Sequence, residues 1–491
     1  MRAFRLTDAE FGALAAGRPT EGTLAELRKA QLSRNLLLLS EILRAGTPLW
    51  YATAPSPQVL ADPVTGLYAA TAVSMIRSGG WPPDRSALIH PAARTLVTTC
   101  DGVTLRVRLE DSDPLRDRLG LTPTGRLDDD AVAHWQRTLD EAWRLLVRRH
   151  PEDAAILAAV LRVIVPVEPD PAAGGISATS AHAFGAVAMS APADGRALAV
   201  GLLHETTHSL LNATALLFDL VRPAGEPGYS PWRDDPRPPS GVLHGAYAYL
   251  AVARFRRVEA AAGGRVAAFE FARWRSAVVA AAQDLLSGGR LTAAGERFVS
   301  AVRDQADRWR DDPVDPEIAR LAADANTDHR VRWRLRNLRV DPGGIDPLVR
   351  AWRAGAPRPP SLPGAEVAPG PRRLEASARL DRVHARLRAA DRGGPPPGDG
   401  PQGDHRGRAG GGVRPGDDAW LGGDHGTGQE AYISVLKSVR ASDADFDAAL
   451  AGLALVSPWR VLRERPEIVR ATWLALRRPP LDALVEWFDR A

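Results

Sequence analysis

The chain has 491 residues, of which 45% are hydrophobic and 25% are charged. This composition excludes a fibrous or wholly disordered chain, and the length predicts two or three domains. Lysine plus arginine exceed aspartate plus glutamate by only 63 to 59, and there is one cysteine. The charge therefore argues against a nucleic-acid partner, and the cysteine count excludes an internal disulfide framework.

The N-terminal region is predicted to be helical. Two Thr-x-x-Glu capping boxes, Thr7 with Glu10 and Thr23 with Glu26, indicate helix starts, and the leucine spacing after the second box predicts a helix that ends at Gly46. Neither a signal peptide nor an uncharged apolar stretch of membrane-spanning length occurs in the sequence. We therefore expect a cytoplasmic protein without a membrane partner.

The central region alternates between strand and helix patterns. Residues 102–110 alternate as a half-buried strand does, and residues 127–150 form an amphipathic helical pattern. Strand character returns at 161–169 and, as a strand or hairpin, at 176–190. From Gly201 the pattern is helical again. We expect an α+β, mostly helical fold with a zincin-like core, in which a short sheet lies against this helix, and a C-terminal helical tail.

A change in composition divides the chain further. Residues 356–418 are rich in proline, glycine and arginine, and much of this segment cannot bury enough apolar surface to become ordered. We expect an N-terminal helical region at 1–100, a metal-binding catalytic domain at 101–355, a linker at 356–418 and a repeat-like helical region at 419–491.

The motif most specific to chemistry is His204-Glu205-Thr206-Thr207-His208. Helix positions i and i+4 share one face, so both imidazoles can bind one metal ion. Glu205 would then lie beside the ion, where it can handle a proton on bound water or hold a ligand in place. The motif predicts a metal centre. The alternative is two ordinary histidines on a helix.

A third ligand must come from another segment, since the longer HExxHxxGxxH pattern is absent. The first candidate is His244, which opens the next apolar helix, and its alternative role is to cap that helix or face solvent. His182, on the strand before the metal helix, is a second candidate. A thermolysin-like site would instead use a carboxylate, and the candidates are Asp219, Glu226, Glu259 and Glu270.

Two arginines lie between the candidate ligand helices, in the segment SPWRDDPRP. They are Arg233 and Arg237. A guanidinium can bind a carboxylate through two parallel hydrogen bonds, so either arginine is a candidate for binding an acidic ligand. The alternative is that they pair with nearby aspartates for structural reasons.

Taken together, these segments resemble a known family. FGAVAMS, LLHETTHSLLNATALLFDLV and YSPWRDDPRPPSGVLHGAYAYLAV are similar to the HEXXH-motif proteins of actinobacterial peptide-modification gene clusters, described as 2-oxoglutarate-dependent HExxH-type peptide β-hydroxylases. The resemblance covers about residues 1–350, and GDHGTGQEAYISVL resembles the family's helical tail.

The resemblance implies an oxidoreductase of RiPP biosynthesis. Such an enzyme is a non-haem iron dioxygenase that uses Fe(II), 2-oxoglutarate and O2 to hydroxylate a side-chain β-carbon in a ribosomally synthesised precursor peptide. By this resemblance His204 and His208 are iron ligands, and we expect His244 to be the third. Glu205 becomes a proton-handling residue, with direct ligation left open, and Arg233 or Arg237 binds the distal carboxylate of 2-oxoglutarate.

Two other functions fit the same motif. In a zinc metallopeptidase, Glu205 is the general base that activates zinc-bound water. In a non-catalytic peptide-binding module, the metal is structural and the C-terminal helices contact a partner protein. A carboxylate third ligand favours the peptidase. A histidine third ligand that faces an arginine-lined pocket favours the hydroxylase.

Overall fold

A computed structural model of the chain describes residues 4–45, 57–80, 94–170, 175–223, 225–368, 370–371, 374–392, 413–440 and 444–490. The described residues form an α+β protein that is mostly helical, as the sequence predicts. None of the described helices combines the length and the apolar character needed to cross a membrane. The chain divides into a first compact unit, Met1–Pro223, Leu243–Val258 and Val278–Arg310, and a second, Ala224–Val242, Glu259–Ala277 and Asp311–Ala491.

The described helices and strands are numbered in chain order. The helices are α1 (Asp8–Ala15), α2 (Glu21–Arg44), α3 (Pro57–Ala61), α4 (Pro63–Arg77), α5 (Asp129–Arg149), α6 (Pro151–Val160), α7 (Gly195–Ala215), α8 (Pro239–Ala261), α9 (Arg265–Ser287), α10 (Ala293–Asp307), α11 (Pro316–Asn337), α12 (Pro342–Arg353), α13 (Ala378–Asp391), α14 (Arg414–Leu421), α15 (His425–Ser438), α16 (Ala444–Val456), α17 (Arg460–Glu464), α18 (Pro466–Ala475) and α19 (Leu481–Phe488), with a 3-10 turn at Pro114–Leu119. The strands are β1 (Arg94–Cys100), β2 (Val103–Leu109), β3 (Val163–Val167), β4 (Ser177–Ala178), β5 (Ala186–Ser190), β6 (Leu338–Arg339) and β7 (Glu366–Val367).

The first unit contains a five-stranded mixed sheet in the order β1-β2-β3-β5-β4. β2, β3 and β5 are parallel, whereas β1 and β4 run antiparallel to their neighbours at the two edges. Asp101 and Gly102 connect β1 to β2, and both have positive φ, 47° and 81°. An Asp-Gly pair in this conformation suits a tight hairpin whose twist matches that of the strands. The lone Cys100, the last residue of β1, is buried.

Each face of this sheet has its own apolar core, because side chains alternate along a strand. Ile164 of β3 and the alternate residues Val187 and Met189 of β5 pack with apolar residues of α5 and α7. Val163, Val165 and Val167 point the other way and pack with apolar residues of α2 and α4. The sheet therefore lies between two helical layers, and α7 is fixed against one face.

The start of α7 is set by two local features. The Asp194 side chain accepts a hydrogen bond from the Ala197 backbone N–H at 2.8 Å, which satisfies one of the free donors at the helix N-terminus. Gly195 follows, and a Cβ there would lie only 2.4 Å from Cβ of Glu141 in α5. Glycine therefore permits the close approach of the two helices, and this contact places the helix that carries the HExxH motif.

The second unit is built mainly from helices around a single large apolar cluster. α11, α16, α18 and α19 supply most of its buried side chains, such as Leu321, Leu450, Ile468 and Trp487. The short β6–β7 pair also belongs to this unit. The expected C-terminal helices are thus present in the described part of the chain.

Most of the predicted elements appear close to their expected positions. The strand and helix predicted at 102–110 and 127–150 are β2 and α5, and the hairpin alternative at 176–190 is confirmed by the antiparallel pair β4–β5. The capping box at Thr7 is confirmed by its reciprocal hydrogen bonds with Glu10. The box at Thr23 is wrong as a helix start, because α2 begins one turn earlier with Thr20 as its N-cap.

The linker prediction is wrong for part of its range. α13 lies inside residues 356–418, and its Val383 and Leu387 are buried in the apolar cluster of the second unit. These two apolar positions are four residues apart and share one helix face, which is a helical pattern. The pattern is not evident in the sequence because the rest of the segment has few apolar residues. Residues 393–412, the most glycine-rich part of the predicted linker, lie outside the described residues.

Candidate metal centre

The two histidines of the motif lie on the accessible stripe of an otherwise buried helix. Along the middle of α7, from Gly201 to Thr214, the half-exposed residues are Gly201, His204, His208 and Asn212. These positions are three or four residues apart, so they form one line along the helix. All other side chains in this stretch are buried, among them Leu202 and Leu203. Both imidazoles are therefore held by a packed helix and remain reachable from outside.

The imidazoles of His204 and His208 are spaced as two ligands of one ion. Their Nε2 atoms lie 3.1 Å apart, with the rings nearly perpendicular at 86°. Two nitrogens that each lie about 2.1 Å from a tetrahedral metal ion are separated by about 3.4 Å, and octahedral neighbours by about 3.0 Å. The observed distance falls between these values, so the pair can bind a metal ion with little rearrangement.

Glu205 brings a buried carboxylate to the same place. Its side chain is 2% exposed, and the Ser177 hydroxyl of β4 donates a 2.7 Å hydrogen bond to its Oε1. Its Oε2 is buried and has no hydrogen-bond partner among the described residues. Since an unpartnered buried carboxylate oxygen is costly, this atom is suited to a metal ion or to a proton of metal-bound water.

The neighbouring helix α8 presents two further side chains to these histidines. His244 and Tyr249 are half-exposed, whereas the residues between and around them are buried. The Tyr249 ring lies 5.3 Å from the His204 ring in an edge-to-face arrangement, and the His244 ring lies 5.4 Å from the His208 ring. Two histidines of α7 thus face one histidine and one tyrosine of α8, all within the first unit.

His244 approaches His208 from the opposite side of its ring. Its Nδ1 lies 3.3 Å from Nδ1 of His208, whereas the nitrogen of His208 that faces His204 is Nε2. One ion cannot bind both nitrogens of a single imidazole. In the present arrangement His244 is therefore a neighbour that orients His208. To join His204 and His208 on one ion, the His244 ring would have to turn.

Among the described residues, one group of three or more histidine, cysteine or carboxylate side chains converges as metal ligands do. It consists of His204, Glu205 and His208, whose ligand atoms all lie within 4.8 Å of one another. None of the alternative carboxylates considered above belongs to it. The second candidate histidine, His182, instead contacts the guanidinium of Arg34 through its Nδ1.

Burial keeps the two histidines in the protonation state that a metal requires. It lowers the pKa of His204 to about 4, and burial together with the neighbouring histidines holds the pKa of His208 well below its usual range. Burial raises the pKa of Glu205 to about 7, and the Ser177 hydrogen bond and the nearby Thr179 hydroxyl oppose this rise. Neutral imidazoles offer free lone pairs, so both histidines are ready to bind a metal near neutral pH.

The two arginines assigned to 2-oxoglutarate belong to the second unit, where both interact with the same carboxylate. Nε of Arg233 lies 2.8 Å from Oδ1 of Asp235, and Nη1 of Arg237 lies 3.6 Å from Oδ2 of Asp235. Arg237 also exchanges two backbone hydrogen bonds with Gly228. Both arginines therefore pair with a nearby aspartate, which is the alternative to ligand binding given for them above. Binding of 2-oxoglutarate by either one stays a prediction.

The sequence interpretation missed two residues of this centre, Ser177 and Tyr249. A signal for the first was present: Ser177 and Thr179 are two residues apart, as side chains on one face of a strand are, and they precede the HExxH helix. Tyr249 had no such signal, because it lies five residues after His244 and the i+3/i+4 rule does not connect the two positions.

Comparison with known proteins adds no assignment at this point. The chain matches no protein-family model, and no curated protein matches its sequence significantly.

Proposed function

We propose that the chain is an Fe(II)- and 2-oxoglutarate-dependent dioxygenase that hydroxylates a side-chain β-carbon in a ribosomally made precursor peptide. The observation that carries the proposal is the convergence of His204, Glu205 and His208 on the accessible stripe of a buried helix. Two imidazoles and one carboxylate are the donor set that non-haem Fe(II) oxygenases use, with open positions left for cosubstrate and O2. The carboxylate here is Glu205 of the motif itself, and among the described residues no carboxylate from another segment, which would favour a peptidase, joins the group. The peptide substrate rests on the family resemblance.

The roles of the residues follow from their surroundings. His204 and His208 would hold the metal through Nε2, and His244 would orient His208 or become a third ligand if its ring turns. Glu205 would supply the carboxylate through Oε2, while Ser177 holds Oε1. When bound, Fe(II) with 2-oxoglutarate supplies the O2 activation needed to hydroxylate a C–H bond.

The surroundings of the centre also bear on the proposal. HExxH helix α7 packs on one face of a mixed five-stranded sheet, and we propose that this arrangement is the core of a zincin-like domain. The partly exposed stripe of α7 makes the two imidazoles accessible from outside the helix layer. Binding of the distal carboxylate of 2-oxoglutarate by Arg233 or Arg237 is part of the proposal and rests on the sequence.

A zinc metallopeptidase is the second candidate, and one observation favours it. Glu205 Oε2 is free of protein partners beside the two imidazoles, as is required of a general base that accepts a proton from metal-bound water. In that case Glu205 acts on the water and is not itself a ligand.

The test is metal reconstitution without oxygen, followed by an aerobic assay of succinate formation from 2-oxoglutarate with Fe(II) and, separately, with Zn(II). We expect succinate with Fe(II) only, and a gain of one oxygen atom in a precursor peptide encoded beside the gene. Cleavage of a peptide pool by the zinc-loaded protein, without succinate from the iron-loaded protein and precursor, would replace the proposal with the peptidase.

The variant Glu205→Gln separates the two functions further. It preserves the shape of the side chain but removes its basicity. A peptidase should lose nearly all turnover, because the amide cannot accept a proton from water. A hydroxylase in which Glu205 only helps to hold the metal should retain measurable succinate formation at saturating Fe(II).

A further inference from the structure

The hydrogen bond between Ser177 and Glu205 joins the edge of the sheet to the metal helix. Ser177 opens β4, and its partner Glu205 is in the middle of α7 and 28 residues further along the chain. Among the described residues, Oε1 of Glu205 accepts this bond while Oε2 has no hydrogen-bond partner. The two oxygens of one carboxylate are therefore in different environments.

The backbone around Ser177 is itself fixed. Ser177 pairs with Met189 of β5, and the preceding Ile176 exchanges hydrogen bonds with Ser190: the Ile176 N–H donates to Ser190 Oγ at 3.1 Å, and the Ser190 N–H donates to the Ile176 carbonyl at 3.0 Å. β5 is buried along its whole length. The Ser177 hydroxyl is thus held by the sheet and does not depend on a free loop.

We infer that Ser177 is a positioning residue of the metal centre, which occupies one oxygen of Glu205 and so leaves a single oxygen for the metal or its bound water. A carboxylate with both oxygens free can turn or bind an ion through both of them. With Oε1 held by Ser177, Glu205 offers Oε2 alone beside the imidazoles of His204 and His208. This inference rests on the proposed metal centre but not on the reaction performed there.

Replacement of Ser177 should therefore change the metal centre in a way that a merely structural residue would not. Partners of metal ligands typically contribute about 10–100-fold in metal affinity. We expect Ser177→Ala to weaken Co(II) binding by about this factor, and to change the visible absorption spectrum of bound Co(II), since Glu205 is then free to bind differently. Ser177→Thr keeps the hydroxyl and should restore both the affinity and the spectrum.

The experiment titrates Co(II) into the metal-free full chain without oxygen, for wild type, Ser177→Ala, Ser177→Thr and the control Ser180→Ala. Ser180 also carries a hydroxyl near β4, but this accepts a hydrogen bond from the His182 backbone N–H, whereas the hydroxyl that donates to Glu205 is that of Ser177. Circular dichroism of the metal-free proteins checks that each is folded. We expect the control to match wild type.

Equal affinity and equal spectra for wild type and Ser177→Ala would overturn the inference and leave the proposed function standing. Ser177→Ala is replaced by Ser177→Thr in this test if it does not fold. A folded Ser177→Thr that binds Co(II) as weakly as His208→Ala does would then overturn the inference as well. Absence of Co(II) binding by wild type would overturn both. If the Ser177 variants bind Co(II) as expected but the iron-loaded protein forms no succinate, the inference is supported and only the proposed reaction is rejected.

Discussion

Each compact unit contains a cluster of titratable side chains. In the second unit the charges of the cluster are paired within the protein, whereas in the first unit they are suppressed. In the second unit, Arg379 is 5% exposed and every guanidinium nitrogen has an acceptor. Its Nε donates to Asp417 at 2.9 Å, its Nη1 to Asp328, and its Nη2 to the Ala448 carbonyl at 3.2 Å. The Tyr432 hydroxyl also donates to Asp417 at 2.7 Å. These charges are paired within the protein.

The metal cluster of the first unit, His204, Glu205 and His208, lacks such pairing. Burial lowers the pKa of His204 to about 4 and raises the pKa of Glu205 to about 7, so burial here suppresses charge. In the second unit burial also opposes the charge of Asp328, but Arg379 and Arg332 hold the pKa of this carboxyl at about 2. The cluster of the second unit has its charges paired and needs no further ligand. The metal cluster has neutral donors and a carboxylate oxygen without a hydrogen-bond partner among the described residues, so it is suited to bind an ion.

The largest effect is expected for His208→Ala. Loss of a residue that hydrogen-bonds to a metal ligand typically weakens metal binding by about 10–100-fold. Loss of a direct ligand should weaken Fe(II) or Co(II) binding by more than this and should abolish turnover. The measurement is a metal titration of the full chain, with His182→Ala as the histidine control. The metal-free variant should unfold within about 1 kcal/mol of wild type. Normal activity of His208→Ala would place the metal elsewhere.

The corresponding change in the second unit is Arg379→Met, which leaves Asp328 and Asp417 buried without their main counter-charge. Breaking a buried ion pair in this way typically costs about 3–5 kcal/mol of unfolding free energy. Urea unfolding measures it. Arg388→Met is the matched control, because Arg388 is an exposed residue of the same helix, α13, and its loss should cost under about 1 kcal/mol. Equal stability of the two variants would contradict the description of Arg379 as a paired buried charge.

Acid should reduce the stability that the cluster of Arg379, Asp328 and Asp417 contributes, over a defined pH range. The pKa of Asp328 is about 2 in the folded protein and 3.8 ordinarily, so its ionised form favours folding. The contribution, about 2 kcal/mol, is present above pH 3.8 and is lost as pH falls through 2. Urea unfolding of wild type between pH 5 and pH 2 should therefore show a steeper loss of stability than Asp328→Asn. Parallel pH profiles would show that Asp328 is not the group responsible.

The smallest expected effect concerns the arginines near Asp235. If one of them binds 2-oxoglutarate, Arg233→Gln or Arg237→Gln should raise KM for 2-oxoglutarate by about tenfold, since a charge-assisted hydrogen bond to a carboxylate is lost. Fe(II) affinity should stay unchanged in both variants, which distinguishes a cosubstrate effect from a damaged metal centre. Unchanged KM in both would assign the two arginines to structure alone.

Local patterns in the sequence predicted the parts of the site that are close together along the chain. His204, Glu205 and His208 share one helix, so the 3.6-residue period was enough to bring two imidazoles to one face. The same holds for β2 and α5, whose polar and apolar residues alternate with the period of their element, and for β3, which is a short apolar run. These elements were predicted within a few residues of their observed ends.

The remaining features depend on contacts between distant segments, which the period of one element does not encode. The spacing of Ser177 and Thr179 places both on one strand face, but it does not show that Ser177 reaches Glu205. No local pattern shows which nitrogen of His208 faces His244. β1 was missed because its segment lacks a clear pattern, and α13 because its two buried apolar residues stand among charged ones. A helix start was misplaced at Thr23, because Thr20 is an equally suitable cap residue, and in the structure the Thr20 side chain accepts a hydrogen bond from the Thr23 N–H.

Cys100, the single cysteine, makes the first unit accessible to a chemical measurement of its own opening. Its side chain is 5% exposed at the end of β1, and the second unit contains no cysteine at all. A thiol reagent can therefore label the native chain only when the β1–β2 hairpin separates from its core. The labelling rate at increasing reagent concentration gives the free energy of that local opening, for one unit alone and without denaturant.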